Sequence, residues 1–180
     1  DGPARQLLRH VPQRDIHLLR VAAGQIAAVG EGVLTWQPGD RVCALALGGG
    51  YAEQVILPEG LLIPLPDRWS YVQGAAIPEV WLTAYANLCL EGAMGAGEVV
   101  LIHAGAGGVG HVAIQLAKSA GARVCTTVST DEKAKFVKRL GADKVIRYQD
   151  CDFVEEVMQW TNGEGVDVVL DSVGGEIFQR

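Results

Sequence analysis

The sequence lacks several things, and each absence narrows the answer. It has no Cys-x-x-C pair: Cys43, Cys89, Cys125 and Cys151 stand 46, 36 and 26 residues apart. That spacing suits neither a structural zinc site nor a disulfide framework, so the cysteines read as reduced, mostly buried thiols that pack as small apolar residues. No apolar run approaches the ~20 residues of a membrane span and nothing reads as a signal peptide, so no membrane association is expected and the expected compartment is the cytoplasm. Positive charge is not in excess. Fifteen Lys and Arg against 21 Asp and Glu leave a formal charge of −6, which excludes nucleic acid as a general partner but leaves room for one phosphate at a local basic cluster. The chain also begins without Met. Residues 1–20 carry Arg5, Arg9, Arg14 and Arg20 with no clear period, so the start is expected to be cut or altered.

What is present is globular in composition: 180 residues, 49% hydrophobic and 20% charged, enough for one domain or a domain with part of another. Glycine is abundant, 23 of 180 against an average of ~7%. In the first third, strand-like stretches at 25–29, 41–45 and 51–56 are joined by Gly and Pro turns, which predicts a small antiparallel β unit. Residues 79–88 have helical spacing and end in Gly92, Gly95 and Gly97. From Val99 the period changes. Strands at 99–102, 123–128, 144–146 and 166–170 alternate with helices at 109–120, 131–140 and 153–160, the order that right-handed βαβ crossovers and a parallel sheet require. The predicted class is α/β.

Between the first of these strands and its helix lies Gly105-Ala106-Gly107-Gly108-Val109-Gly110, a G-x-G-x-x-G loop in the strand-to-helix context that dinucleotide binding needs. Gly105 is expected to allow the tight turn, Gly107 the close approach of a pyrophosphate, and Gly110 the packing of helix on strand. The helix amides would then hold the phosphates. The tip of the second strand reads Val128-Ser129-Thr130-Asp131-Glu132-Lys133. Hydroxyls and a lysine there favour a 2′-phosphate, hence NADPH; Asp131 facing a ribose hydroxyl would favour NADH, and Ser129-x-x-Glu132 also reads as a capping box.

Several stretches together resemble one family: Gly39-Asp40-Arg41-Val42, Ala75-Ala76-Ile77-Pro78, Trp81-Leu82-Thr83-Ala84, the glycine loop followed by Ala113-Ile114-Gln115-Leu116-Ala117, Gly141-Ala142-Asp143 and Asp171-Ser172-Val173-Gly174. From about residue 24 onward the chain resembles the zinc-independent quinone oxidoreductases of the medium-chain dehydrogenase/reductase superfamily, the group related to zeta-crystallin. The resemblance implies part of a GroES-like substrate domain over 1–70, a helical connection over 71–97 and an NADP-binding Rossmann domain over 98–180, incomplete at its C-terminus. It implies NADPH, hydride transfer to a quinone or other small electrophile such as an activated alkene, and a homodimer when complete. By position, Ala106, Gly107, Gly108, Val109 and Gly110 would face the pyrophosphate, Thr130, Lys133 and Tyr148 the adenosine 2′-phosphate, and Thr83 the nicotinamide half. The family's early strands, with the polar residues of the substrate pocket, would precede residue 1, so no catalytic residue is named. Two further strands would follow Arg180, leaving the fourth strand with an apolar edge.

A separate argument disfavours zinc. In the zinc-dependent relatives a four-cysteine lobe falls between Asp40-Arg41-Val42 and Tyr51-Ala52-Glu53, but here eight residues intervene and hold one Cys, which cannot make a tetrahedral sulfur site. The four histidines, His10, His17, His103 and His111, are scattered and read as structural, although His111 could add a donor near the phosphates. The competing function classes are a non-catalytic NADPH-binding or crystallin-like homologue and a methyltransferase; Ser129-Thr130, where an acid would be wanted, argues against the latter.

Overall fold

The computed structural model describes residues 21–46 and 48–180; the irregular opening segment of the sequence lies outside these. The described residues fall into two compact units that part after Glu79.

In the first unit, β1 (Val21–Gln25), β2 (Arg41–Leu45) and β3 (Leu62–Pro64) form an antiparallel sheet in that order, with Val21 opposite Leu45 and Cys43 opposite Ile63. The first strand is four residues earlier than its sequence pattern suggested. Its partner begins only at Arg41, because Pro38 has no amide to offer and Gly39 turns the chain at φ 96°. Residues 51–56, despite their alternation, are irregular. Both edges of β2 are already taken by β1 and β3, and an extended segment without a ladder partner is not a strand. Arg41 ties the following loop to the sheet through the carbonyls of Pro66 and Trp69, with its guanidinium 4.8 Å from the Tyr71 ring centroid. Ser70 and Gln73 then form a capping box on α1 (Tyr71–Ala75).

The second unit is a parallel sheet in the order β6-β5-β4-β7, built from β4 (Val99–Ile102), β5 (Arg123–Val128), β6 (Lys144–Arg147) and β7 (Val168–Leu170). This is the 3-2-1-4 order of a doubly wound fold. All four residues of β4 are buried, as a central strand covered on both faces requires. On one face Val100, Ile102 and Val124 pack with Val112, Ile114 and Ala117 of α3 (Gly108–Ser119) and Val137 of α4 (Asp131–Arg139). On the other, Leu101, Cys125 and Ile146 meet Phe153 and Val157 of α5 (Phe153–Trp160). Burial pushes the Cys125 thiol up to about 12. Cys43 is also buried and Cys89 half-buried, whereas Cys151 is exposed.

Two elements depart from the pattern for local reasons. The helix predicted over 79–88 is α2 (Pro78–Tyr85), which continues as a π-helical turn over Ala86–Glu91. Asn87 Nδ2 takes the Thr83 carbonyl at 2.8 Å, and Gly92 N bonds Asn87 O at 2.8 Å, five residues back. The last strand begins at Val168 because Asp167 Oδ2, not a backbone carbonyl, accepts from Val99 N at 2.8 Å. β7 lies at the edge of the described sheet, with Val169 52% exposed.

Asp143 links three elements: its Oδ2 accepts from Val124 N at 2.7 Å and from Lys118 Nζ at 2.8 Å. Burial raises its pKa, but the bonds from Lys118 and Val124 and the charges of Lys118 and Lys138 outweigh this, and the carboxyl lies below its ordinary range. A depressed carboxylate stabilises the fold above its unfolded pKa, and that stabilisation is lost as pH falls through the folded value. Urea midpoints measured across the acid range should therefore fall less steeply in Asp143→Asn than in the wild type; identical slopes would contradict the assignment.

Candidate functional site

The site begins where β4 ends. His103 N continues the ladder to Leu170 O at 3.0 Å, and Ala104 then turns the chain at φ 52°, a left-handed conformation that costs a non-glycine residue about 1–2 kcal/mol. The turn is held by Gly107 N on Ala104 O (2.8 Å), Gly105 N on Thr127 O (3.0 Å) and Ala104 N on Thr127 Oγ1 (3.3 Å). The left-handed residue is thus Ala104 and not Gly105, which was expected to serve the tight turn. Glycine is needed at 105 for another reason: a Cβ there would overlap the buried hydroxyl of Thr126, which donates to Ile102 O at 2.7 Å. At Gly110 a Cβ would overlap the Ala104 carbonyl oxygen and lie 2.7 Å from Gly105 Cα, so helix and loop touch backbone to backbone.

This contact sets the direction of α3. Its N-cap is Gly107, with no side-chain cap, and its first helical bond runs from His111 N to Gly107 O at 3.0 Å. Among the described residues the amides of Gly108, Val109 and Gly110 have no acceptor. Open amides and the positive helix end together suit an anion. His111 does not add to them through Nδ1, which lies 2.8 Å from the Gly107 carbonyl.

A cleft runs from this end to the tip of β5, lined by Ala104, Ala106, Gly107, residues 127–129, Lys133 and Tyr148. At the tip, Lys133 Nζ donates to Ser129 Oγ at 3.1 Å, and Thr130 caps α4 by accepting from Lys133 N at 3.3 Å. The capping box expected at Ser129 and Glu132 is therefore replaced by a cap one residue later, which leaves Ser129 free to face the cleft. Of the residues singled out from sequence, Ala106, Gly107, Lys133 and Tyr148 line one cleft and Thr130 adjoins it. Gly105 and Gly110 are buried beneath, Gly108 is exposed on the first helical turn, and Val109 is half-buried against the core. Thr83 lies on α2, outside the cleft.

Two further residues mark the carboxyl ends of β4 and β7. His103 is buried, its Nδ1 3.0 Å from Thr127 Oγ1 and its ring edge-on to Phe153 at 4.9 Å. Burial pushes its pKa down, with the charge of Asp171 opposing. Asp171 Oδ1 accepts from Gly174 N (3.0 Å) and Val173 N (2.8 Å), bonds that hold the carboxyl below its ordinary range against the cost of burial. Its Oδ2 is buried without a donor among the described residues, an orphan that a ligand hydroxyl or amide would satisfy. Asp171 to Gly174 was legible in the sequence as the switch point at the carboxyl end of the fourth strand, where the nicotinamide should pass; the orphan state of Oδ2 and the role of Thr127, a hydroxyl just inside a strand tip, were not. Open amides at one end, a lysine with hydroxyls at the strand tip and an orphan acceptor at the sheet's switch point fit a dinucleotide.

Comparison with known proteins agrees. Residues 6–67 match the alcohol dehydrogenase GroES-like domain and residues 108–180 match the zinc-binding dehydrogenase family. The chain is 38% identical over 157 residues to a phenolphthiocerol/phthiocerol polyketide synthase polypeptide of Mycobacterium tuberculosis, covering 87% of this chain and 7% of that protein. It is 32% identical over 168 residues to human quinone oxidoreductase, covering 93% of this chain and 49% of that one. Among solved structures, the CurK enoyl reductase superposes with a TM-score of 0.84 at 40% identity, over 88% of this chain and 47% of that one. Escherichia coli quinone oxidoreductase complexed with NADPH gives 0.83 at 38%, over 89% and 49%. The chain thus spans about half the length of the individual reductases and a small part of the synthase.

A buried and an exposed glycine of the loop, Gly110 and Gly107, give a direct test of its geometry. Gly110→Ala should destabilise by about 1–3 kcal/mol through forced displacement of the backbone. Gly107→Ala, whose Cβ would lie 3.1 Å from Ala104 O, should cost less. Equal shifts in the denaturation midpoint would contradict the close contact at 110.

Proposed function

The chain belongs to the medium-chain dehydrogenase/reductase superfamily, and from that premise we propose that it holds NADPH in an oxidoreductase that passes hydride to an electron-poor conjugated acceptor, a quinone or an activated alkene, without zinc. The observation that carries this reading is one cleft that runs from Gly107, the N-cap of α3, to Lys133, Ser129 and Tyr148, with the open amides of α3 following directly after Gly107. Support also comes from solved neighbours, one complexed with NADPH and one an enoyl reductase. Quinones and enoyl groups share one chemistry, a carbon made electrophilic by a conjugated carbonyl.

When bound, the cofactor supplies the hydride. The chain supplies placement. The amides of Gly108, Val109 and Gly110 donate to the diphosphate, and Lys133 with the hydroxyls of Ser129 and Thr130 offsets the charge of a 2′-phosphate. Asp171 Oδ2, which has no donor among the described residues, would accept from a hydroxyl or amide of the bound cofactor. Support for zinc-free chemistry is the eight-residue interval holding Cys43 alone, which cannot make a four-cysteine site. No helix among the described residues is long and apolar enough to cross a membrane. The proposal extends to a cytoplasmic homodimer.

Turnover tests it. With the full protein, NADPH absorbance at saturating cofactor should fall on adding a small benzoquinone or a crotonyl thioester, faster than with NADH and undiminished by a chelator. Binding without turnover of either would leave a nucleotide-binding relative with no reductase activity, and no binding would reject the proposal. Lys133→Ala should weaken NADPH about fivefold, the loss of a unit charge near 4 Å in water, with little effect on NADH; equal losses would contradict the phosphate role.

A further inference from the structure

Arg147, the last residue of β6, has no part in the reading above. Its guanidinium reaches from the end of that strand to the start of α4, where Nη1 donates to Asp131 Oδ1, while Nε donates to Asp150 Oδ2 and Nη2 pairs with the same carboxylate. The bonds to Asp150 and Asp131 raise its pKa above the ordinary arginine range. Asp131 is the first residue of α4, directly after the cap Thr130 and two before Lys133. It does not line the cleft, whereas Ser129, Lys133 and Tyr148 do.

An acid at the tip of the second strand is the group that accepts a ribose 2′-hydroxyl and repels a 2′-phosphate. Here such an acid is present, and it also suits the positive end of α4, but it is bonded to a guanidinium of the neighbouring strand that it shares with Asp150. We infer that Arg147 is a specificity-determining residue: by holding Asp131 away from the cleft and pairing with a charge that would otherwise stand alone there, it makes the tip select a 2′-phosphate over a 2′-hydroxyl. It is a positioning residue that acts through Asp131, leaving contact with the phosphate to Lys133 and Ser129. The inference rests on the cleft being the nucleotide site. It accounts for an acid and a lysine standing two residues apart at one tip, where either alone would specify a different cofactor.

The test uses two probes that carry no redox chemistry, adenosine 2′,5′-bisphosphate and adenosine 5′-monophosphate, titrated calorimetrically into the full protein. Arg147→Gln should lower the ratio of their affinities about fivefold, the effect of exposing one unit charge near 4 Å in water. Adding Asp131→Asn to that variant should restore the ratio. Asp131→Asn alone, which keeps Arg147, should leave the ratio at or above the wild-type value. An unchanged ratio in Arg147→Gln overturns the inference. So does a double variant that stays low, since Arg147 would then act on the phosphate directly or through its other partner, Asp150, and so does a fall in Asp131→Asn alone. A wild-type protein with no preference for the bisphosphate overturns the 2′-phosphate reading itself, and does so before any variant is made.

Discussion

At the end of β4 two stretches of backbone come closer than any side chain would allow. The carbonyl of Ala104 and the Cα of Gly105 lie where a Cβ at Gly110 would have to be, and the hydroxyl of Thr126 lies where one at Gly105 would be. That contact fixes the angle at which α3 leaves the sheet. It brings the helix down onto β4 through small residues, Ala113 and Ala117, and leaves the first helical amides pointing away from any partner in the described chain. Unsatisfied donors at a helix end are costly when buried and useful when they face an anion. The rest of the site is arranged around them.

The cleft's other end is decided by β5 and β6. β5 delivers Thr127, Ser129 and the cap Thr130 in sequence, so one strand end serves three purposes: Thr127 steadies His103 and the glycine loop, Ser129 holds Lys133, and Thr130 starts α4. β6 delivers Tyr148 to the cleft and Arg147 to Asp131. On the inference drawn above, charge selection at the tip turns on Asp131 being paired with Arg147 while Lys133 is bonded only to the Ser129 hydroxyl among the described residues. At the sheet's switch point the orphaned oxygen of Asp171 waits beside the buried imidazole of His103. Parallel topology brings all of these to one edge, because every strand of the second unit ends there.

Much of the second unit was legible in the sequence. Val99–Ile102, Arg123–Val128 and Phe153–Trp160 match their sequence patterns to the residue, because a fully buried parallel strand is a short unbroken apolar run and helices between strands are bounded by glycines and caps. The glycine loop was placed correctly, but the reason for each glycine was only partly legible, since what forbids a side chain at 105 is a hydroxyl on the neighbouring strand. The first unit was less readable. Residues 51–56 alternate as a strand should, yet pairing is a property of two segments, and β2 had no free edge to offer. The π-helical turn after α2 closes on a bond from Gly92 N to Asn87 O, with the Asn87 side chain on the Thr83 carbonyl, a choice that periodicity does not record. Likewise, Arg147 reads as an ordinary strand residue until the fold places it against Asp131.

On the proposed reading, the sheet edge handles the nucleotide and the acceptor is chosen elsewhere. The account therefore depends on one event, the capture of a diphosphate by the amides of Gly108, Val109 and Gly110. Amide resonances of these three residues, followed by nuclear magnetic resonance as NADPH is titrated into the full protein, measure it directly. The account expects all three to move downfield as they acquire charged acceptors, at the same nucleotide concentration that shifts Lys133 and Tyr148. Saturation with the nucleotide while the three amides stay where they began would contradict it.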